Sequence, residues 1–450
     1  MNNSLNLQCP PLSKNTGKFY IENKTILIPD MNRIGSRLFA ATFRSFGIPA
    51  IVLETFKGLD LGMKYTSGKE CFPCQVTLGD ILYFVRKEQA RLGDHFCPES
   101  YVYFLPESAG PCRFGVYNTY QRIVLNSLPG LSNLGISSLT TEDGYSMAGM
   151  IAKDRLVDFR KTGYLSILAT DILERLLWRI RPYEKGVGMA DNFLDFAMES
   201  MVSLFEKHGA SQQFNMIFTG LEAIIKEGLA IIDPAVSRKP LIGIVGEIYL
   251  RMHTMANQDL IRRLEHHGAE VVIASFAEWI NYVSYEGMRT ARKKLSEQLM
   301  RGHLTAFATC MKDLLSFGTD YYYQESQLKK IYRRARTLID LAPDHKIAHL
   351  ERRLQEEDAY SFDIGTETGL SIATALEFAN HGYSGIVNVY PFTCMPGMTT
   401  SAILKPLMND LGFPYLDVAC DASIQPGREA AIRTFMYQAH QHNPKDMPRK

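Results

Sequence analysis

Short apolar runs bounded by glycine and proline alternate along this chain with stretches in which apolar residues recur every three or four positions. The runs read as strands buried on both faces, and the periodic stretches as amphipathic helices packed over them. Residues 24–29 (Lys-Thr-Ile-Leu-Ile-Pro) form such a run, helical spacing follows over 36–46 and stops at Gly47, and 50–53 is the next run. That is a βαβ unit. Residues 101–105 predict a further strand and 118–126 a helix. Between about 160 and 235 the strand runs give way to long amphipathic stretches, 163–180 and 191–208 among them. A second α/β unit opens at 240–245, with a helix over 258–267, a stop at Gly268 and a strand over 270–274. Residues 286–358 are helical and charged. The chain then returns to α/β spacing, with helices over 370–380, 399–411 and 428–440 and strands over 385–390 and 415–419.

The expected fold class is therefore α/β, with two Rossmann-like parallel-sheet domains and helical insertions. The expected organisation is an N-terminal α/β domain over 18–160, a helical segment over 161–235, a C-terminal α/β domain over 236–285 and 359–441, and a helical insertion over 286–358. Residues 444–450 are expected to be a frayed tail.

Composition narrows the setting. Of 450 residues, 46% are hydrophobic and 22% charged, so the cores are large, and a net charge of +1 gives no footprint for nucleic acid. No apolar run approaches the roughly 18–20 residues that span a bilayer. The first residues lack a basic segment and an apolar core of the secretory kind. A cytoplasmic protein is expected, with no membrane partner and no disulfide framework. Eight cysteines in such a chain are candidates for metal ligation, redox work or plain burial.

Four of the eight occupy turns built from glycine and proline, expected at strand-to-helix junctions. Cys71 and Cys74 form Cys-Phe-Pro-Cys. Cys112 lies in Gly-Pro-Cys-Arg-Phe-Gly and Cys394 in Pro-Phe-Thr-Cys-Met-Pro-Gly. Pro73 suits a first helical turn, in which thiols at i and i+3 point the same way and a helix N-terminus favours thiolate. Lys69 adds positive charge. Alone, the Cys-x-x-Cys pair fits a redox dithiol, half a zinc site or half an iron–sulfur site. Cys112 and Cys394 favour the last, because a dithiol has no use for distant cysteines and a zinc knuckle holds its ligands in close pairs. Arg113 would offset cluster charge. Cys9, Cys97 and Cys310 are expected to be inert, and Cys420, at the end of a strand, is a reserve ligand.

The segments Tyr-Thr-Ser-Gly-Lys-Glu-Cys-Phe-Pro-Cys (65–74), Gly-Pro-Cys-Arg-Phe-Gly-Val-Tyr-Asn (110–118), Gly-Ile-Val-Gly-Glu-Ile-Tyr-Leu-Arg (243–251) and Pro-Phe-Thr-Cys-Met-Pro-Gly (391–397) resemble the acyl-CoA dehydratase activase-related proteins. That family is distantly similar to the iron–sulfur subunits of 2-hydroxyacyl-CoA dehydratases and to double-cubane-cluster proteins. The likeness runs from about residue 24 to 440. It implies an oxygen-sensitive iron–sulfur cluster (4Fe-4S or double-cubane type) between Rossmann-like domains, in an anaerobe. Ligation carries over to Cys71, Cys112 and Cys394, while Cys74 matches only part of the family. With Cys74 as a ligand the cluster is fully capped and suited to electron transfer. Without it, one iron is open to substrate.

Two expectations about partners follow from the resemblance. The chain lacks both a G-x-x-x-x-G-K-[ST] loop and the paired phosphate loops of an activase, so an external ATP-driven activase or reductase is expected. The segment Asp363-Ile-Gly-Thr-Glu-Thr-Gly369 is only superficially like one such loop. An acyl-CoA or other small molecule is the expected substrate, and a homodimer or heterodimer the expected assembly. The leading expectation is low-potential electron transfer. The alternatives are a dehydratase-like enzyme or small-molecule reductase with an open iron, and a non-enzymatic scaffold of an activase. Glu247, Arg251 and His253 follow the strand near 240–245 and either line the cluster crevice, bind an acyl-CoA carbonyl, or form a solvated loop with a helix cap. The basic stretches Arg289/Arg292/Lys293/Lys294 and Lys329/Lys330/Arg333/Arg334/Arg336 read as solvated faces paired with Glu, or as a dock for CoA phosphates or an acidic electron donor. No Ser–His–Asp arrangement is legible.

Overall fold

A computed structural model describes residues 16–442 except 302 and 343. Cys9 and the tail from 444 lie outside the described residues. The chain folds into two all-parallel sheets. The first contains β1 (Thr16–Gly17), β2 (Thr25–Ile28), β3 (Ala50–Val52), β4 (Tyr101–Phe104) and β5 (Gly135–Ser137), in the order β1-β5-β4-β2-β3. The second contains β6 (Leu241–Gly246), β7 (Glu270–Ile273), β8 (Gly385–Pro391) and β9 (Tyr415–Cys420), in the order β7-β6-β8-β9. This is the α/β class with two Rossmann-like parallel sheets. β2, β6 and β8 are buried almost throughout, as strands covered by helices on both faces must be.

Each sheet reverses its strand order once. In the first the reversal falls between β2 and β4, and in the second between β6 and β8. Loops leaving the carboxyl ends of such a strand pair diverge and leave a crevice. The loops after β2, β4, β6 and β8 all contribute to one cavity.

The helix Leu156–Ile180 holds the halves together. It packs on the helix Arg33–Ser45 beside the first sheet and on β7 of the second. Most of its residues are buried, so it is a core helix, and it starts at Leu156, ahead of the 161 expected. The insertion expected from 286 also begins earlier, as the continuous helix Phe276–Arg301. Its first turn is fixed by burial: Asp171 accepts from Phe276 N (3.0 Å) and Ala277 N (2.9 Å), and Ser275 Oγ from Glu278 N (3.1 Å). The buried polar residues Glu278 and Asn281 interrupt its apolar period, and their partners Thr374 and Tyr164 come from elsewhere in the chain. β1 and β5 were not expected either. A two-residue and a three-residue strand carry no readable alternation.

Candidate functional site

Gly110 opens the loop after β4 with φ +94°, a backbone region that favours glycine, and its carbonyl accepts from Cys112 N at 2.8 Å. The turn sets Cys112 half-buried on the cavity wall. The loop after β8 does the same for Cys394 through Thr393, which takes φ +67°. Cys394 then caps the helix Met395–Asp410, its Sγ accepting from Gly397 N at 3.5 Å.

Cys71 departs from the expected placement. The short helix Leu59–Lys64 separates it from β3, so it does not sit directly at a strand-to-helix junction. It is the N-cap of the helix Phe72–Leu92, with φ +99°. A cysteine there is strained, and such strain persists where the surroundings fix it. Cys71 and Cys74 share one buried cluster but differ in access to the cavity. Cys71 lines the cavity, whereas Cys74 is fully buried, accepts a hydrogen bond from Gln121 and packs with Leu78, Ile81 and Tyr103.

The cavity of about 880 Å³ therefore brings together Cys71, Cys112 and Cys394, from both domains. Cys74 and Cys420 do not line it. Cys97 is exposed, and Cys310 is half-buried in the helix Leu304–Ala335. Among the described residues every cysteine is a free thiol. Burial pushes the Cys71 and Cys112 thiols up to about 12, and the Cys394 thiol further in the same direction. The expected thiolate-favouring effect of the helix start is outweighed by loss of water. Tyr117, itself buried, partly offsets this by hydrogen-bonding to Cys71. The cation that matters is Arg113 and not Lys69. Its guanidinium donates to the Lys69 and Thr393 carbonyls, tying together the loops that carry Cys71, Cys112 and Cys394.

Two carboxyls face the thiols. Glu247 follows β6 and caps the helix Ile248–Met252, accepting from Tyr249 N (3.0 Å) and Leu250 N (2.9 Å). Burial, with Glu367 beside it, raises Glu247 to about 7. Glu367 is 9% exposed and is also raised by burial. Both line the cavity. Arg251 lies buried among Glu278, Glu367 and Glu247, with its Nε unpaired. His253 is buried too, 3.0 Å from Thr55 Oγ1. The reading of these three residues as a solvated loop is thus corrected, although Glu247 does act as a cap. Glu367 belongs to the Asp363–Gly369 segment, so that segment walls the cavity. The segments holding Glu367 and Tyr117 stood out in the sequence, but Tyr145 and Trp279, which also line the cavity, carried no signal.

Three of the nine residues in the two basic stretches are ion-paired. Arg289 pairs with Glu286 (2.9 Å), Glu351 (3.4 Å) and Asp363 (2.6 Å), Lys293 with Asp363, and Arg334 with Glu222. Among the described residues no helix is long and apolar enough to cross a membrane.

The donor set can be tested against a metal group. Thiolates around a single zinc ion stand about 3.8 Å apart at bonds of about 2.3 Å. Among the described residues no group of three ligating side chains that includes a cysteine lies within 4.8 Å. Cys71, Cys112 and Cys394 thus share a wall without forming the tight ligand set of a single ion. No known family model matches the chain, and no curated protein matches it.

Proposed function

We propose that this chain is an iron–sulfur enzyme that transforms a small molecule in the interdomain cavity, with Cys71, Cys112 and Cys394 as cluster ligands. The observation that carries the reading is the shared lining of one large apolar cavity by these thiols, without Cys74. A cluster with three protein thiolates supplies a Lewis-acidic iron and one-electron chemistry. A cluster capped by four thiolates suits pure electron transfer, and the absence of Cys74 and Cys420 from the lining supports the open-site reading instead.

The residues of the chain do the rest. The apolar walls exclude water from the bound group. Glu247, raised to about 7, is poised to give or take a proton near neutrality. Glu367 is its partner. This suits dehydration of a 2-hydroxyacyl thioester, in which the hydroxyl leaves with one proton as water and a carboxylate takes the proton from the neighbouring carbon. No net electrons are consumed, and a separate ATP-driven reductase primes the protein.

Anaerobic purification with iron, sulfide and zinc analysis tests the ligation. EPR of the reduced protein with and without a 2-hydroxyacyl-CoA tests the open site. Iron and sulfide together, and a signal that changes on adding the thioester, are expected. Stoichiometric zinc without iron overturns the ligation, and an unchanged signal overturns the open site.

A further inference from the structure

A second cluster of ligating groups lies away from the cavity. Its centre is Glu377, late in the helix Thr368–Asn380, with a side chain 2% exposed. Glu377 Oε1 is held by Arg353 Nε at 3.0 Å. Its Oε2 is buried and makes no hydrogen bond. Three histidine nitrogens surround that oxygen: His349 Nε2 at 3.0 Å, His381 Nδ1 at 3.5 Å and His345 Nε2 at 3.6 Å. The ligand atoms of His345, Glu377 and His381 all lie within 4.8 Å of one another.

We propose that Glu377, His345 and His381, with His349 beside them, form a binding site for one divalent transition-metal ion of the zinc class. Imidazoles with a single carboxylate suit zinc and its neighbours and do not suit calcium or magnesium. Tetrahedral ligands at bonds of about 2.0–2.1 Å stand about 3.3–3.5 Å apart. The observed separations of 3.5 and 3.6 Å are close to that edge. In the ion-free chain that oxygen has imidazole nitrogens around it but no aligned hydrogen bond, and an ion would bridge them. Arg353 fixes the carboxylate from behind, as an outer-shell group does. His381 Nδ1 also lies 2.7 Å from the Glu377 carbonyl, so ligation moves its proton to Nε2 and exchanges that contact for the ion. His349 and His381 are open to solvent, which gives the ion an entry path. None of the four residues lines the thiol cavity. From Glu367 to Glu377 the helix advances about 15 Å at 1.5 Å per residue. The ion would pin the segment before the helix Ile347–Glu356 to the C-terminal domain, a structural role separate from the cysteine chemistry.

Cobalt(II) titration of the full chain under anaerobic conditions tests this, because thiolate ligands give an intense charge-transfer band and imidazole or carboxylate ligands do not. One equivalent of cobalt with a thiolate-free spectrum, displaced by zinc, is expected. His381→Ala and Glu377→Gln should each weaken it by about 10-fold or more. His381→Ala alters an exposed side chain and should melt like the parent chain without metal, so its loss of binding reads the ligand and not the fold. Absence of a thiolate-free cobalt spectrum, or affinity in both variants equal to that of the parent chain, overturns the site.

Discussion

Arg113 of the N-terminal domain donates to the backbone carbonyl of Thr393 in the C-terminal domain, across 280 residues of chain. Each neighbours a cavity cysteine, Cys112 and Cys394, and the same guanidinium reaches the carbonyl of Lys69, two residues before Cys71. One planar fork thus fixes three loops that the sequence keeps far apart. Lysine cannot reproduce it, since an ammonium is a point donor. Arg113→Lys should lower stability by about 1–3 kcal/mol, the usual range for hydrogen bonds from a charged group. It should also speed thiol loss to a disulfide reagent. Thermal melting and a timed thiol assay check both. An unchanged melt would leave the tie without energetic weight.

Cys74 and Cys394 should respond oppositely to replacement. Cys394→Ser should lose iron after anaerobic purification. Cys74→Ala should keep iron and sulfide at the wild-type level, with a stability loss of about 1–2 kcal/mol from the small void left in a fully buried position. Iron loss in Cys74→Ala equal to that in Cys394→Ser would restore Cys74 to the ligand set.

In the metal-free chain the cavity thiols should be slow nucleophiles. Only the thiolate reacts, and burial holds Cys71 and Cys112 up to about 12. At pH 8 roughly one thiol in 10⁴ is then ionised. Alkylation followed by peptide mass analysis should label exposed Cys97 first. The Cys71 and Cys112 rates should climb about tenfold per pH unit through pH 10. A plateau near pH 8 would contradict this.

His253 should make the domain junction acid-sensitive. Its Nδ1 accepts from Ala256 N at 3.2 Å, so Nε2 carries the proton toward Thr55 Oγ1 in the other domain. Burial lowers the ring from 6.5 to about 4. A base depressed by folding contributes stability that is present above its ordinary value and lost as the pH falls from 6.5 toward 4. His253→Gln should therefore lose less stability than wild type over that interval, by on the order of 1–3 kcal/mol. Parallel pH–melting curves for the two proteins would refute it.

Gly246 should tolerate no side chain. It ends β6 with φ +111°, and a Cβ there would stand 2.1 Å from the Val389 carbonyl oxygen. Gly246→Ala should cost about 3 kcal/mol or more through strain and displacement of β8. It should also move Glu247, the next residue. Denaturant unfolding measures the cost, and a loss below about 1 kcal/mol would show that the strand end gives way.

The strands and helices that build the two sheets were legible because they are local. The run Leu-Ile-Gly-Ile-Val-Gly over β6 is apolar at nearly every position, and Gly47 and Gly268 stop their helices where expected, at φ +76° and +90°. The helix beginning at Phe276 was misplaced because Asp171, a hundred residues away, supplies its cap. For the same reason Cys71 and Cys74 looked like a matched pair. Spacing alone does not tell that Cys71 lines the cavity and Cys74 does not.

The sequence by itself determined the α/β class, the alternation of its elements and the turns that carry Cys112 and Cys394, since hydrophobic period and turn chemistry are written residue by residue. Only the tertiary structure decided which thiols share a wall, that Glu247 and Glu367 stand over them, and that three histidines surround the Glu377 carboxylate. Those relationships depend on where strand order reverses and on how much water is excluded. Both arise from packing between segments distant in the chain, which no local pattern encodes.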